Sequence, residues 1–167
     1  MRDKLSDLQK IRSIANYQFG KGVGERLFPN KARIFLSKRT GRIRHIYLDE
    51  NRLATLRPTD GLFSLTIIGA KRIIAGLESP RLWVRVQEEA APFISRGKSL
   101  FAKHVLEADE EIRPREEVLV ISGENEVLAV GKATLSGREM KAFKSGVAVR
   151  VRRGAAEVKK TVEDYNK

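Results

Sequence analysis

Arg96-Gly97-Lys98-Ser99-Leu100-Phe101-Ala102-Lys103-His104-Val105 is the stretch on which the reading of this chain turns. Upstream, Glu88 to Ser95 predicts a helix with Phe93 and Ile94 on its apolar side, and Gly97 is placed to end it. Downstream the residues become strand-like. The runs are Glu117-Val118-Leu119-Val120-Ile121, Val127-Leu128-Ala129-Val130-Gly131-Lys132-Ala133 and Gly146-Val147-Ala148-Val149-Arg150-Val151-Arg152. The stretch thus joins a helix to a strand through a glycine bracketed by cations, and opens a compact β-rich module. Leu100, Phe101 and Val105 read as its core. Ser136-Gly137-Arg138-Glu139 has capping-box spacing and predicts a short helix through Met140 and Phe143. Val158, Val162 and Tyr165 predict a last amphipathic turn or two.

Working toward the N-terminus, Leu82-Trp83-Val84-Arg85-Val86 reads as a linking strand, and Glu78-Ser79-Pro80 as a turn before it. Leu5, Leu8, Ile11, Ala15 and Phe19 recur at three- and four-residue intervals, which predicts an opening helix with one apolar stripe, stopped by Gly20. Lys21-Gly22-Val23-Gly24 reads as a basic connector. Its glycines, two apart, are also spaced to present N–H groups to a phosphate. It is neither a Walker loop nor a dinucleotide fingerprint, so no nucleotide cofactor is implied. Strands are expected over Ala32–Ser37, Arg42–Leu48 and Arg52–Leu56, the first two joined by Lys38-Arg39-Thr40-Gly41. Ile43 and Ile46 break strict alternation, which points to a bulge or a shifted register. After the turn Pro58-Thr59-Asp60-Gly61, a short strand Leu62–Leu65 leads to a helix capped by Thr66 and closed by Gly76.

The 167 residues carry a net charge of +12, a surplus that points to a polyanionic partner such as nucleic acid. It is unevenly spread. Residues 1–86 hold 18 Lys and Arg against 7 Asp and Glu, whereas residues 87–153 hold 12 against 11. The chain has no cysteine, which excludes disulfides, thiolate zinc sites and cysteine nucleophiles in these residues. His45 and His104 are far apart, without ligand spacing, so no metal or other cofactor is expected. Met1–Lys10 is charged and unlike a signal peptide, and no apolar run approaches the roughly 20 residues of a membrane span. A soluble, cytoplasmic protein without a membrane partner is the expectation.

Three groups of cations are candidate RNA contacts. The first is Arg96, Gly97 and Lys98 with Lys103 and His104. Here a glycine admits a close backbone and the cations meet phosphates without reading sequence. The second is Arg150, Arg152 and Arg153 on the last strand, where alternation with Val147, Val149 and Val151 puts Arg150 and Arg152 on the outer face. A solvated strand face is the other reading. The third is the hairpin from Lys38 to His45, with Lys38, Arg39, Arg42 and Arg44. Counting His45, five of its eight residues can be cationic. Lysine-rich tips also deter edge pairing. Trp83, Tyr17 and Tyr47 have rings suited to base stacking, but sit in apolar patterns that read as core. No catalytic arrangement is apparent. Asp109-Glu110-Glu111 lies in a loop without a base partner, and Ser99 and Ser136 have no histidine in sequence reach.

The module from Arg96 onward resembles a PUA domain, an RNA-binding pseudobarrel attached to tRNA- and rRNA-modifying enzymes. The resemblance implies that the helix-to-strand loop and following strand line a groove gripping an RNA helix end, with the last strand beside it. His104 departs from the family, which often has a glycine there. The resemblance extends to Ile14-Ala15-Asn16-Tyr17-Gln18-Phe19-Gly20, Gly41-Arg42-Ile43-Arg44, Thr59-Asp60-Gly61-Leu62-Phe63-Ser64-Leu65 and Gly69-Ala70-Lys71-Arg72. These are similar to the domain just before PUA in archaeosine tRNA-guanine transglycosylases. That family's catalytic barrel, with its cysteine-rich zinc site, has no counterpart in these 167 residues.

The expected fold is α+β: a basic α+β domain with a small antiparallel sheet over 1–80, a PUA-type β-pseudobarrel over 81–154, and a short C-terminal helix or tail over 155–167. The expected function is non-catalytic RNA binding. The resemblance implies the tRNA acceptor stem as partner, with a separate tRNA-modifying catalytic subunit beside it. A general rRNA- or ribosome-associated PUA protein and a small enzyme are the competing readings.

Overall fold

The computed structural model describes residues 2–75 and 80–157. The expected helix stop at Gly76, the turn residues Glu78 and Ser79, and the expected turns at Val158, Val162 and Tyr165 lie outside the described residues. Two compact units divide the chain, Met1–Arg81 and Leu82–Lys167.

The first unit opens with α1 (Lys4–Phe19), whose N-terminus is capped by the Asp3 carboxylate accepting from the Leu5 N–H. Its stripe Leu8, Ile11, Ala15 and Phe19 is buried, but Leu5 is 64% exposed and leaves the expected core. The expected connector at Lys21–Gly24 is instead the start of a second helix, α2 (Val23–Leu27). Gly24 is buried in it, its N–H given to Asn16 Oδ1 at 2.6 Å. A side chain at Gly24 would meet the Arg12 carbonyl, so glycine is there for helix contact and presents nothing to a phosphate.

Four strands follow, β1 (Arg33–Leu36), β2 (Ile43–Leu48), β3 (Asn51–Leu56) and β4 (Phe63–Leu65), paired antiparallel in chain order. The expected bulge is present. Leu36 pairs with Ile43 and Phe35 with His45, which leaves Arg44 over and turns both Ile43 and Ile46 into the core. A second irregularity, between Ile46 and Tyr47, buries the consecutive residues Leu53 and Ala54. Thr66 caps α3 (Ile67–Ile74) by accepting from the Gly69 N–H.

The second unit is a six-stranded sheet in the order β6-β10-β9-β8-β5-β7. Its strands are β5 (Trp83–Val86), β6 (Leu100–Phe101), β7 (Val105–Ala108), β8 (Glu117–Ile121), β9 (Val127–Ala133) and β10 (Val147–Gly154). The two end strands of that order, β6 and β7, are joined by only the 3₁₀ turn Ala102–His104, so the sheet curls nearly closed into a barrel. β5 and β8 pair in parallel, whereas the other pairs are antiparallel. The expected helix over 88–95 is a 3₁₀ turn, Glu88–Ala90, followed by α4 (Ala91–Ser95). The Ser136–Glu139 capping box is formed in full at the start of α5 (Gly137–Ala142), and hydrogen bonds from Ser136 hold the Glu139 carboxyl below its ordinary value. The α+β expectation holds, with helices on a small antiparallel sheet followed by a barrel-like sheet.

Candidate nucleic-acid interface

The Arg96–Lys98 loop is shaped by the way α4 ends. Gly97 lies at φ 98°, its N–H donates to Ile94 and the Lys98 N–H donates to Phe93, the two bonds of a Schellman stop. Gly154, at the end of β10, packs onto this loop, since a side chain there would meet the Ser95 carbonyl and the Gly97 nitrogen. The space above Gly97 is filled by the Glu157 carboxylate rather than left open, as the close-approach reading required. Glu157 also accepts from the Gly154 N–H and lies 3.6 Å from Arg153 Nη1.

The predicted cations of this unit divide by what they touch. Arg96 lies back along α4, its Nε donating to the Pro92 carbonyl and its guanidinium 5.2 Å above the Phe93 ring. His104 Nδ1 is 3.4 Å from Gln87 Oε1. Arg152 makes a two-pronged ion pair with Glu117, both bonds 2.6 Å, and the Glu117 side chain is fully buried. The pair exists because β10 bulges. Val151 and Arg153 face the neighbouring residues Gly131 and Val130, so Arg152 is the extra residue and strict alternation of the arginines fails. Lys98, Lys103 and Arg150 are exposed and make no side-chain hydrogen bond or ion pair among the described residues. The β6–β10 ladder, Phe101 to Val147 and Leu100 to Val149, joins the segments that carry them.

Two aromatic expectations are corrected on this edge. Phe101 is 46% exposed and Phe93 57% exposed, because the two-residue β6 and the single turn of α4 each have one inward position, taken by Leu100 and Ile94. In the first unit Tyr17, read as core, is 77% exposed. It falls between the buried positions of α1. Trp83 and Tyr47 are half-buried, with Tyr47 edge-on to Phe35.

The basic hairpin stands over a groove. The turns Ser37–Arg42 and Arg57–Leu62 are built alike. In each, a glycine at φ 70° or 71° donates back four residues (Gly41 to Ser37, Gly61 to Arg57), and the flanking residues close the ladder. Both turns lie at the same end of the sheet, where they bound a groove of about 790 Å³. Arg39, Arg42 and Arg44 line it, joined by Arg2, Lys10 and Arg57, while Ile14, Ile43, Leu56 and Pro58 make its apolar part. Lys38 is outside this lining. His45 points elsewhere, its Nδ1 2.9 Å from Thr55 Oγ1. Burial first, then the charges of Arg52 and Arg44, hold its pKa below the ordinary histidine value. Four of the eight hairpin residues, not five, are therefore cationic at neutral pH.

Not every cation of this basic unit is available to a ligand. Arg72 donates twice to the Arg26 carbonyl at the end of α2, and Arg26 donates to the Ala75 carbonyl at the end of α3, so each guanidinium caps the other's helix. Arg12 spans Phe28 and Asn30. Among the described residues no group of three or more His, Cys, Asp or Glu could hold a metal ion, and no helix is long and apolar enough to cross a membrane.

Residues 9–80 match the family model described as the patch-forming domain C2 of tRNA-guanine transglycosylase, and residues 83–155 match the PUA domain. The chain thus joins a transglycosylase-type C2 domain to a PUA domain. It is 44% identical over 150 residues to the tRNA-guanine(15) transglycosylase of Methanothermobacter thermautotrophicus, covering 90% of this chain and 23% of the relative. It is 48% identical over 144 residues to that of Thermococcus onnurineus, covering 86% and 24%. The C2–PUA chain therefore spans about a quarter of the length of these archaeal relatives, their C-terminal portion. In fold it resembles a hypothetical protein of Pyrococcus horikoshii (TM-score 0.74, 23% identity, 94% of this chain and 95% of that one). It also resembles a conserved PUA domain protein of Thermoplasma acidophilum (TM-score 0.64, 19% identity, 92% and 91%).

Sequence reasoning passed over Lys10 and Arg57 in the C2 unit, and Lys132 and Glu157 in the PUA unit. Lys132 stands directly across from Arg150, both exposed. The signal for Lys132 was present, as the one charge in the apolar run 127–133. Lys10 and Arg57 carried none, since only the fold brings a helix residue and a turn residue to the hairpin.

Proposed function

We propose that this chain is a non-catalytic RNA-binding protein of tRNA modification, holding tRNA near the 3′ end of its acceptor stem for a separate catalytic subunit. The observation that carries the reading is the set of uncommitted cations, Lys98, Lys103 and Arg150, along the β6–β10 edge of a domain matching the PUA family. They meet phosphates and position the RNA. Arg96, Gly97, His104 and Arg153 shape the edge, and Arg152 holds β10 to β8 behind it. In the C2 unit Arg39, Arg42 and Arg44, with Lys38 at the tip, add attraction that does not depend on sequence. The curated relatives are named as tRNA-guanine(15) transglycosylases, which supports tRNA as the RNA and base exchange as the chemistry done by the partner.

The test is tRNA binding by the whole chain across a salt series. Affinity should fall steeply, with a slope of about −0.7 to −0.9 in log K against log salt for each phosphate neutralised. Lys98→Ala with Lys103→Ala should weaken binding, whereas Arg113→Ala with Arg115→Ala, on the turn between β7 and β8, should not. No tRNA binding at low salt sinks the reading, and equal losses for both pairs mean diffuse charge. A second reading, a general RNA-binding PUA protein, draws on the likeness to similarly sized solved proteins. Sequencing the RNA recovered with the protein separates the two, since tRNA dominates only under the first.

A further inference from the structure

The lining of the groove between the two matching turns of the first unit includes Arg57, a guanidinium with one nitrogen left over. Arg57 gives Nε to Asp60 Oδ1 at 3.2 Å and Nη2 to Asp60 Oδ2 at 2.8 Å. Its third nitrogen, Nη1, is shut off from water and has no partner among the described residues. A guanidinium N–H buried without an acceptor is costly, and an acceptor arriving from outside would relieve that cost. Asp60 is itself fixed, since Oδ1 also accepts from the Leu62 N–H at 3.0 Å. The carboxylate thus sets the direction of the guanidinium while offsetting much of its charge, so the net attraction of the groove comes from the other cations. On the rim Lys10, Arg39, Arg42 and Arg44 make no side-chain hydrogen bond or ion pair among the described residues. Four unpaired cations converging on one cleft repel one another, which an anion relieves. The space beyond Gly41 and Gly61 is open, so the turn backbones do not obstruct a strand laid across them.

We propose that this groove is a phosphate-binding site for the backbone of an RNA strand, with Arg57 Nη1 as its deep donor. Lys10, Arg42 and Arg44 are the cations that close over the same phosphodiester as their long side chains part to admit it. This rests on the RNA-binding reading and adds a second point of attachment, on the C2 unit, separate from the β6–β10 edge. Arg57 is a planar fork oriented by Asp60, so its role is directional and a lysine cannot replace it.

The experiment titrates ¹⁵N-labelled whole chain with unmodified tRNA and, separately, with inorganic phosphate, following the backbone amides of Gly41, Gly61 and Leu62 and those of Gly97 and Lys98. The groove amides should shift with tRNA. Arg57→Lys, which keeps the charge, should weaken tRNA binding about tenfold, the loss of one charge-assisted hydrogen bond. Lys10→Gln, on the exposed rim, should reduce the salt slope by about 1. Thermal melts of both variants show that they are folded. Groove amides that stay still while Gly97 and Lys98 shift overturn the groove and leave the RNA-binding reading intact. Amides that stay still at both places overturn both. Wild-type affinity and salt slope in both folded variants also overturn the groove. Shifts with tRNA but none with millimolar phosphate assign it to a polynucleotide, and equal response to both assigns it to phosphate in general and overturns the RNA assignment.

Discussion

Gln18 pairs with Phe63 as one strand pairs with another. Its Nε2 donates to the Phe63 carbonyl at 2.9 Å, and its Oε1 accepts from the Phe63 N–H at 2.8 Å. A side chain on α1 thus completes the backbone bonding of β4 inside the core, where Gln18 is 6% exposed. Gln18→Leu keeps the volume but orphans a buried donor and a buried acceptor. It should cost about 2–4 kcal/mol, and Gln18→Glu at least as much near neutral pH, where its carboxylate cannot donate. Urea denaturation of the variants checks this. Wild-type stability for Gln18→Leu would mean that water or a shifted strand supplies the bonds.

The Arg152–Glu117 pair joins β10 to β8 across β9. Removing Arg152 strands a buried carboxylate, so Arg152→Ala should destabilise by about 2–4 kcal/mol, the lower part of the range because Arg152 is partly exposed. Its tRNA affinity, measured on folded protein, should stay within about twofold of wild type, since the guanidinium is spent on Glu117. A loss matching that of Lys98→Ala with Lys103→Ala would make Arg152 an RNA contact instead.

His45 gives the fold a pH dependence of definite sign. Its folded pKa is depressed below about 6.5 by burial and then by Arg52 and Arg44. Between that ordinary value and the lower folded one, the unfolded chain takes up a proton that the folded chain refuses, so stability falls as pH is lowered through the window. Above it His45 contributes no slope. Melting temperatures of wild type and His45→Gln from pH 7.5 to 5 should converge as pH falls, the wild type losing more. Parallel curves would remove His45 as the cause.

Glu157 covers the loop proposed to hold RNA and pairs with Arg153. Neutralising it removes a like charge from the path of a phosphate, so Glu157→Gln should tighten tRNA binding several-fold at low salt and steepen the salt dependence. Weaker binding would show that Glu157 is needed to shape the Gly97–Gly154 contact.

What could be read in the residues was local. Thr66, the Ser136–Glu139 box and Gly97 each act within a few positions of chain, and each does in the structure what its spacing implied. The β2 bulge was legible because Ile43 and Ile46 fit the core only with a residue inserted between them. Contacts between distant segments were not legible. Gln18 looked like a polar residue on a helix, and its partner is 45 positions away. Phe101 and Tyr17 looked like core because aromatic residues between apolar neighbours read as buried. A strand of two residues and the flank of an amphipathic helix leave them exposed. The hairpin cations could be named from sequence, but the groove could not, because Arg57 and Lys10 reach it only through the sheet and α1.

The near-closure of the second sheet has a bearing on how the molecule meets other chains. Its two terminal strands are held together by three residues, so that unit offers another polypeptide almost no free edge on which to add a strand. The first sheet ends openly on β1, where Phe35 and Leu36 stand exposed beside unpaired backbone. Among the described residues β1 is therefore the longer open edge for strand addition by a neighbouring protein, and RNA held at the barrel would not compete for it through backbone pairing.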